Sequence, residues 1–518
     1  MSWESGTASN YLDLLAKLNA FLLKGHTLPP IYAGTGTGTI TLLSGTSTSV
    51  QETITVTFSS ASAFSVGGSV TGAMGTGTVG TPFVHARCSF MVVAGGTAWA
   101  NGDTIAFVMT PPWVALKDVV GFAASSTHGD GNGPNAAFDG SAMTCWESEN
   151  GVTSGWVEID FGSSHTIAEY AVQARNDISQ PTSCPNAWTL EAWNGSSWAV
   201  ADTQTAQTGW TQGQKRVFSI SPCTAAKFRL NISANNGFVS YVDLGELELR
   251  ESAGGVDVGL LGCLWRAPGN TNADMIYVGA KPYYHAATDY YNWRLGAFTG
   301  FTAGALWTNQ PGGNTTKHLY LWNSSIPYWF IADGKHVAIV THVSSVYEST
   351  YLGFGDNYAS PGQLPYPVFV GGSACFAAEP AATSLGWRWS YTGAEHAAFW
   401  HGLNGASSPL SMRRIDGTWV TFDAGDERQS PNYGSLWPYV CGQFGMTYLV
   451  TNMDGTYPLF PIIPNEQTAT YGELTGIMAI TGYLQSAENT VTIDRIPWLV
   501  VPNIYRSTRS DYAAFRLA

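Results

Sequence analysis

An all-β, multidomain fold is what this sequence predicts, on three observations. Only 12% of its 518 residues are charged, whereas glycine (58), tryptophan (20) and tyrosine (24) abound. A disordered chain shows the reverse, rich in charge and poor in aromatics. Apolar and polar residues alternate with period two over many short runs, the pattern of strands with one buried face. Gly, Pro, Asn and Asp cluster between those runs, where tight turns need them. The length suits about three domains. Composition shifts divide the chain into an N-terminal helix or attachment segment (1–33), a small Gly/Thr-rich β domain (34–117), a β-sandwich (118–252) and an aromatic-rich β domain (253–518).

One segment reads as a helix. Tyr11, Leu14, Leu15, Leu18, Phe21 and Leu22 recur at helical spacing, with Ser9 as the expected N-cap and Gly25 as the stop. Its apolar stripe suits a core, or docking on a neighbouring subunit. In the next unit Ile54, Val56 and Phe58 share one face of a strand. Residues 90–93 and 104–108 predict two more strands, with Asn101, Gly102 and Asp103 turning between them. The Gly/Thr run at 75–81 reads as hairpin ends, and Pro111-Pro112-Trp113 as a boundary, because proline ends pairing.

A net charge of −14, with no Lys/Arg patch, argues against nucleic acid as a partner. Neutral glycans and other proteins are the more natural ligands. No run of about 18 apolar residues exists, so no membrane-spanning helix is expected. The N-terminus lacks the basic and apolar regions of a secretory signal. Seven scattered cysteines without a Cys-x-x-Cys pair suit reduced, mostly buried thiols in a protein made in a cytoplasm.

Residues 136–147 carry an Asp-Gly turn followed by Thr144 and Trp146. That set places a carboxylate, a hydroxyl, free carbonyls and an anchoring indole in one loop, suited to a hard cation. Downstream, Val157, Ile159 and Phe161 point one way along a strand. Trp188 to Trp193 lead to the turn Asn194-Gly195 and then Trp198. Residues 227–232 alternate again, and 244–249 close the unit. In this order, Phe138-Asp139-Gly140 with Thr144 and Trp146, the Trp-x-x-Ile-Asp-Phe-Gly strand, the Asn-Gly…Trp turn, Phe-Arg-Leu and the final Gly-Glu-Leu-Glu-Leu resemble the discoidin-type domain. This is also called the coagulation factor 5/8 C-terminal type, a jelly-roll sandwich shared with bacterial carbohydrate-binding modules. Unlike extracellular relatives, no cysteine pair ties the ends of this unit. The resemblance implies a structural Ca²⁺ held by Asp139, Thr144 and Glu246, with Asn135, Ala136 and Ser141 as further oxygen donors. It also implies ligand contacts in loops at one end of the sandwich. The matching loops carry Arg175, Asn176 and Asp177, then Asn235, Asn236 and Phe238. Both loops also fit ordinary turn chemistry.

The last half stays β-like, with hairpins expected around Asp333-Gly334 and Asp416-Gly417. Residues 328–354, 365–373 and 503–511 are similar to tail or baseplate proteins of tailed bacteriophages. That likeness implies a virion component made in the host bacterial cytoplasm, assembled with other tail proteins, homo-oligomeric and most plausibly trimeric. Tyr283, Tyr284, Tyr290, Tyr291, Trp293, Trp387 and Trp389 suit core positions, sugar platforms or subunit contacts. Signals for catalysis are sparse. Glu395, His396 and His401 miss the spacing of a zinc helix. Asp423, Asp426 and Glu427 read as a solvated acidic turn, and the Gly/Asp/Asn run at 129–133 lacks the strand and helix of a phosphate loop. The expected function is non-enzymatic: a tail part touching host-surface glycan. A glycan-degrading enzyme with its catalytic domain at 257–518, or a purely structural scaffold, are the alternatives.

Overall fold

The computed structural model describes residues 2–118, 121–128, 132–140, 143–176, 181–255, 257–260, 262–269, 275–285, 290–303, 305–358, 368–372, 374–375, 396–400, 410–414, 416–422, 435–437, 451–466, 469–504 and 512–517. It is nearly all β, with one α-helix among the described residues. The fold class expected from the alternating pattern is therefore the one observed, and every paired strand among them is antiparallel.

Two sheets sandwich the first β unit. A five-stranded sheet runs Ile31–Ala33, Thr104–Met109, Glu52–Phe58, Ala63–Gly68 and Gly72–Thr78, and a three-stranded one runs Thr39–Gly45, Cys88–Val93 and Pro82–Val84. Ile54, Val56 and Phe58 face a shared core with Phe64, Phe90, Ile105 and Phe107. The Gly/Thr run is not a set of hairpin ends: Gly72–Thr78 is an edge strand paired with Ala63–Gly68. Glycine is tolerated there because one side of the strand has no neighbour to pack against.

The helix Tyr11–Leu22 begins at Asn10 rather than Ser9. Asn10 Oδ1 accepts from Leu12 N at 3.0 Å and Asp13 N at 2.9 Å, while Ser9 N donates to Asp13 Oδ2 at 2.7 Å. The reciprocal pair is a capping box shifted by one residue. The apolar stripe faces this chain's own core: Leu14, Leu15, Leu18 and Leu22 are sealed among Trp265, Trp293, Phe330 and Leu352. Trp265 Nε1 donates to Asn19 Oδ1 at 2.7 Å and Trp293 Nε1 to the Tyr11 carbonyl at 3.0 Å. Ahead of the helix, Ser2–Ala8 pairs with Ile326–Ala332 at the edge of a seven-stranded sheet. Val114–Asp118 likewise edges a five-stranded sheet through Cys263–Pro268. The N-terminal segments are thus structural parts of the C-terminal sheets, and the hairpins at Asp333-Gly334 and Asp416-Gly417 form as expected.

Residues 121–250 form the discoidin-like sandwich. Strand order is Gly121–Ala124, Gly155–Gln173, Lys215–Asn235, Pro185–Trp193 and Trp198–Gln204, with Glu246–Arg250 also on Gly155–Gln173. The two longest strands pair on both sides of irregularities between Asp160 and His165 and between Ile167 and Glu169. There the ribbon folds over, so its first half meets Gly121–Ala124 and its second half meets Glu246–Arg250. Val157, Ile159, Phe161, Tyr170 and Val172 all enter one core with Trp146 and Trp188. Folding the ribbon returns both of its ends to one end of the sandwich, which positions the site below.

Two substitutions test the helix. Leu18→Ala should lower unfolding free energy by about 3 kcal/mol and Asn10→Ala by about 1 kcal/mol, read from urea titrations. An unchanged midpoint for Leu18→Ala would contradict burial of this stripe.

Candidate functional site: the cation corner and the loop rim

Phe138, fully buried, anchors the Asp-Gly turn, and Gly140 adopts φ +79°. A Cβ on Gly140 would lie 2.3 Å from Leu306 Cδ2 and 3.0 Å from Leu260 Cδ2, so the corner is packed against the C-terminal unit. Thr144 Oγ1 donates to both Asp139 oxygens, at 3.0 and 2.9 Å. Asn135 lies in the 3₁₀ turn Pro134–Ala137, its Oδ1 buried with no hydrogen-bond partner, and Ala136 is buried beside it. Glu246, 2% exposed, starts the strand Glu246–Arg250. Asp139 and Glu246 share one neighbourhood, because Lys281 feels both: burial lowers its pKa, while Asp139 and then Glu246 raise it and Arg294 lowers it. The donors are all oxygen, the set a hard cation takes. Among the described residues no three of His, Cys, Asp and Glu cluster for a metal, so a cation here would rest on two carboxylates completed by hydroxyl and carbonyl oxygens.

At the rim, the loops leaving the folded ribbon converge on Glu147. Its strand Trp146–Glu147 pairs with Asp243–Leu244, and Trp146 Nε1 holds the Ser126 carbonyl at 2.9 Å. The Glu147 side chain is 5% exposed. Its Oε1 accepts from Arg175 Nη1 and from Cys145 Sγ at 3.6 Å. Its Oε2 takes Asn132 Nδ2 at 2.6 Å and lies 3.2 Å from His128 Nδ1. The His128 ring stacks on Tyr241 at 5.6 Å, and Phe238 meets Tyr241 edge-on at 4.8 Å. One buried carboxylate thus orients a guanidinium, an imidazole and an amide beside two half-buried aromatic rings. Asp243 completes the floor, accepting from Ser183 Oγ at 2.7 Å. Burial pushes the Asp243 carboxyl up to about 6; Ser183 pulls it down, Glu147 raises it further and Arg175 lowers it. Burial, then Glu147, also drives the Cys145 thiol far up, so it is an inert, neutral group.

The sequence-predicted rim residues separate into two kinds. Arg175 and Phe238 belong to the cluster. Asn235 and Asn236 build the turn instead: Asn235 Nδ2 donates to the carbonyls of Phe238 (2.7 Å) and Tyr241 (2.8 Å), and Asn236 Nδ2 to Cys184 and Gln207. Gly237, at φ +99°, closes that turn. Asn176 is exposed beside Met143, 3.4 Å from its sulfur. Ser141, Asp177, Trp387, Trp389, Glu395, His401, Asp423, Asp426 and Glu427 lie outside the described residues, as do 129–131 and the side chains of Tyr283, Tyr284, Tyr290 and His396. Trp293 is core, and Tyr291 packs on Tyr11. Sequence reading missed His128, Asn132, Glu147 and Tyr241. Glu147, directly after the anchoring Trp146, was the available signal. Cys88, Cys145, Cys184, Cys223 and Cys263 are free thiols, all buried except the half-buried Cys223.

Residues 121–244 match the F5/8 type C domain family. This segment is an F5/8 type C domain. It resembles an Arabidopsis thaliana peptide-N(4)-(N-acetyl-β-glucosaminyl)asparagine amidase, 30% identical over 125 residues, which are 23% of this chain. The match spans only 17% of that curated relative. Among solved structures, chitosan-binding module 1 of a Paenibacillus sp. IK-5 chitosanase/glucanase is 26% identical, covering 26% of this chain and 95% of that one at a TM-score of 0.21. The family 32 CBM of C. perfringens NanJ, solved with galactose, is 17% identical over 25% of this chain and 91% of its own, also with a TM-score of 0.21.

The buried carboxyls set a pH dependence. Asp243 and Asp257 are both raised to about 6 by burial, above the unfolded value near 4. Their native forms hold the proton more tightly, so the stability they confer is full below about pH 4 and is lost as pH rises through 6. Wild type should therefore lose unfolding free energy relative to Asp243→Asn as pH rises from about 4 to 6, because the opposing contribution of His26 and His318, both lowered to about 3 by burial, is the same in the two proteins. An unaltered slope in the variant would contradict the assignment.

Proposed function

We propose that this chain is a non-enzymatic part of a bacteriophage tail or baseplate that contacts host-surface glycan through the rim of its F5/8 type C domain. One observation carries the glycan reading: Arg175, His128 and Asn132 are fixed by buried Glu147 beside the rings of Tyr241 and Phe238. Sugars offer apolar C–H faces and rings of hydroxyls, so their sites pair an aromatic wall with a few oriented polar groups. Guanidinium and amide groups held in advance lose little freedom on binding. The virion setting is supported by the likeness of 328–354 and its neighbours to tail proteins. On this reading the chain assembles as a homo-oligomer, a trimer, with other tail proteins.

A structural calcium ion belongs to the same reading, held by Asp139, Thr144 and Glu246 with carbonyl or side-chain oxygens near Asn135, Ala136 and Ser141. It would staple the turn to the strand Glu246–Arg250 and do no chemistry.

On a glycan array the wild-type chain should bind, and Arg175→Ala should weaken binding at least tenfold with the native fold retained at a lowered melting temperature, since Glu147 loses a partner. Binding untouched by Arg175→Ala would move the site elsewhere. Glycan turnover would overturn the non-enzymatic reading, and absence of the chain from purified phage particles would overturn the virion setting. For the cation, chelation should lower the wild-type melting temperature by several degrees and leave Asp139→Ala unmoved. A wild-type melt indifferent to chelator would count against calcium.

A further inference from the structure

A second aromatic surface lies on the flat outer face of the sandwich, away from the loop cluster. Val157 and Ile159, Phe228 and Leu230, and Leu190 and Ala192 point into the core, so the residues between them point outward. Register then builds rows across the strands: Trp156 opposite Asn231 and Asn231 opposite Thr189; Glu158 opposite Arg229, Arg229 opposite Glu191, and Glu191 opposite Val200; and the pair Trp193 opposite Trp198. The Arg229 guanidinium lies 4.4 Å from the Trp198 ring centre and 5.7 Å from that of Trp156, and the Trp193 and Trp198 rings are 5.3 Å apart. Glu191, buried to 9% of its side chain, accepts from Arg229 Nε at 2.5 Å, Asn231 Nδ2 at 3.0 Å and Thr189 Oγ1 at 2.8 Å. It is thereby saturated and acts as the brace for Arg229.

Two features separate this face from ordinary packing. Of the described buried tryptophans, Trp113, Trp146, Trp188, Trp210, Trp265, Trp293 and Trp307 each donate the indole N–H within the chain, with Trp99 and Trp498 as exceptions. Trp156, Trp193 and Trp198 are only half-buried, and none of the three indole N–H groups has an acceptor among the described residues. Their neighbour Val200 is 60% exposed. The charges are also largely spent: Lys227 pairs with Asp160 at 2.5 Å and Arg229 with Glu191, leaving Glu158 as the remaining ionisable group. With no cation left over, the face offers nothing to sulfate, phosphate or uronate. Four strands spaced at about 4.8 Å give it a width of roughly 14 Å, room for a chain of sugars and not only one.

We propose that this face, with Trp156, Trp193 and Trp198 as platform and Arg229 as the braced donor, is a second binding surface for a neutral oligosaccharide. The inference shares the glycan reading of the module but uses residues separate from the rim. Apolar sugar faces stack on the indoles, while the free N–H groups and Arg229 donate to ring and hydroxyl oxygens.

The test is calorimetry of the full chain with neutral hexasaccharides (cellohexaose, maltohexaose and N-acetylchitohexaose), comparing wild type, Arg175→Ala and the double variant Trp193→Ala/Trp198→Ala. The face predicts that at least one probe still binds Arg175→Ala, and that the double variant loses that binding at least tenfold. Hydroxyl-radical footprinting of unaltered protein supplies a readout that needs no variant to fold: the bound probe should shield Trp193 and Trp198 from oxidation. No binding of any probe to Arg175→Ala, binding indifferent to the double variant, or no shielding would each overturn the proposal. Failure of the rim alone would appear differently, as Arg175→Ala behaving like wild type while the double variant does not.

Discussion

A carboxylate buried at the end of a β-sandwich is the constraint on which the candidate site depends. Removing an ionised group from water is costly unless charge and hydrogen bonds replace the lost hydration. Glu147 obtains that replacement from Arg175, Asn132 and Cys145, with His128 in reach. His128 and Asn132 come from the segment ahead of the 3₁₀ turn and Arg175 from the one after Gly155–Gln173, so satisfying one carboxylate fixes both segments against the strand that carries it. Asp243 next to it has mainly the Ser183 hydroxyl in support, and burial pushes its carboxyl up to about 6.

That arrangement is possible because of the folded ribbon. Gly155–Gln173 and Lys215–Asn235 are each long enough to serve both layers of the sandwich, and the break near Asp160 and His165 turns them over. Their ends then meet, bringing Arg175 to Glu147 and the Phe238–Tyr241 segment alongside. The cation corner is tied in another way, through Gly140 against Leu260 and Leu306. A cation there would stiffen both the sandwich and its seat on the C-terminal sheets. Those sheets in turn incorporate the chain's first strand and its helix.

Alternation made the strands and their buried faces legible, from Ile54, Val56 and Phe58 to Val157, Ile159 and Phe161. The helix was equally legible from its stripe. What covered that stripe was not, because Trp265, Trp293 and Phe330 are distant in sequence and pairing of Ser2–Ala8 with Ile326–Ala332 leaves no local trace. The shift of the N-cap from Ser9 to Asn10 is a one-residue matter that either side chain's chemistry permits. In the site, Arg175 and Phe238 were readable from the family pattern. Asn235 and Asn236 were misleading, since an amide bonded to carbonyls has the same sequence signature as one waiting for a ligand. Glu147 was hidden for a related reason: a single acidic residue after a core tryptophan says nothing about the loops that will donate to it.

The most direct measurement of the central claim is a crystal structure of the full chain with the best ligand from the glycan array. The account predicts sugar hydroxyls within hydrogen-bond distance of Arg175 and His128, a sugar face against Tyr241 or Phe238, and Glu147 still bonded to Arg175. A ligand seated elsewhere, with the Glu147 cluster untouched by it, would contradict the account.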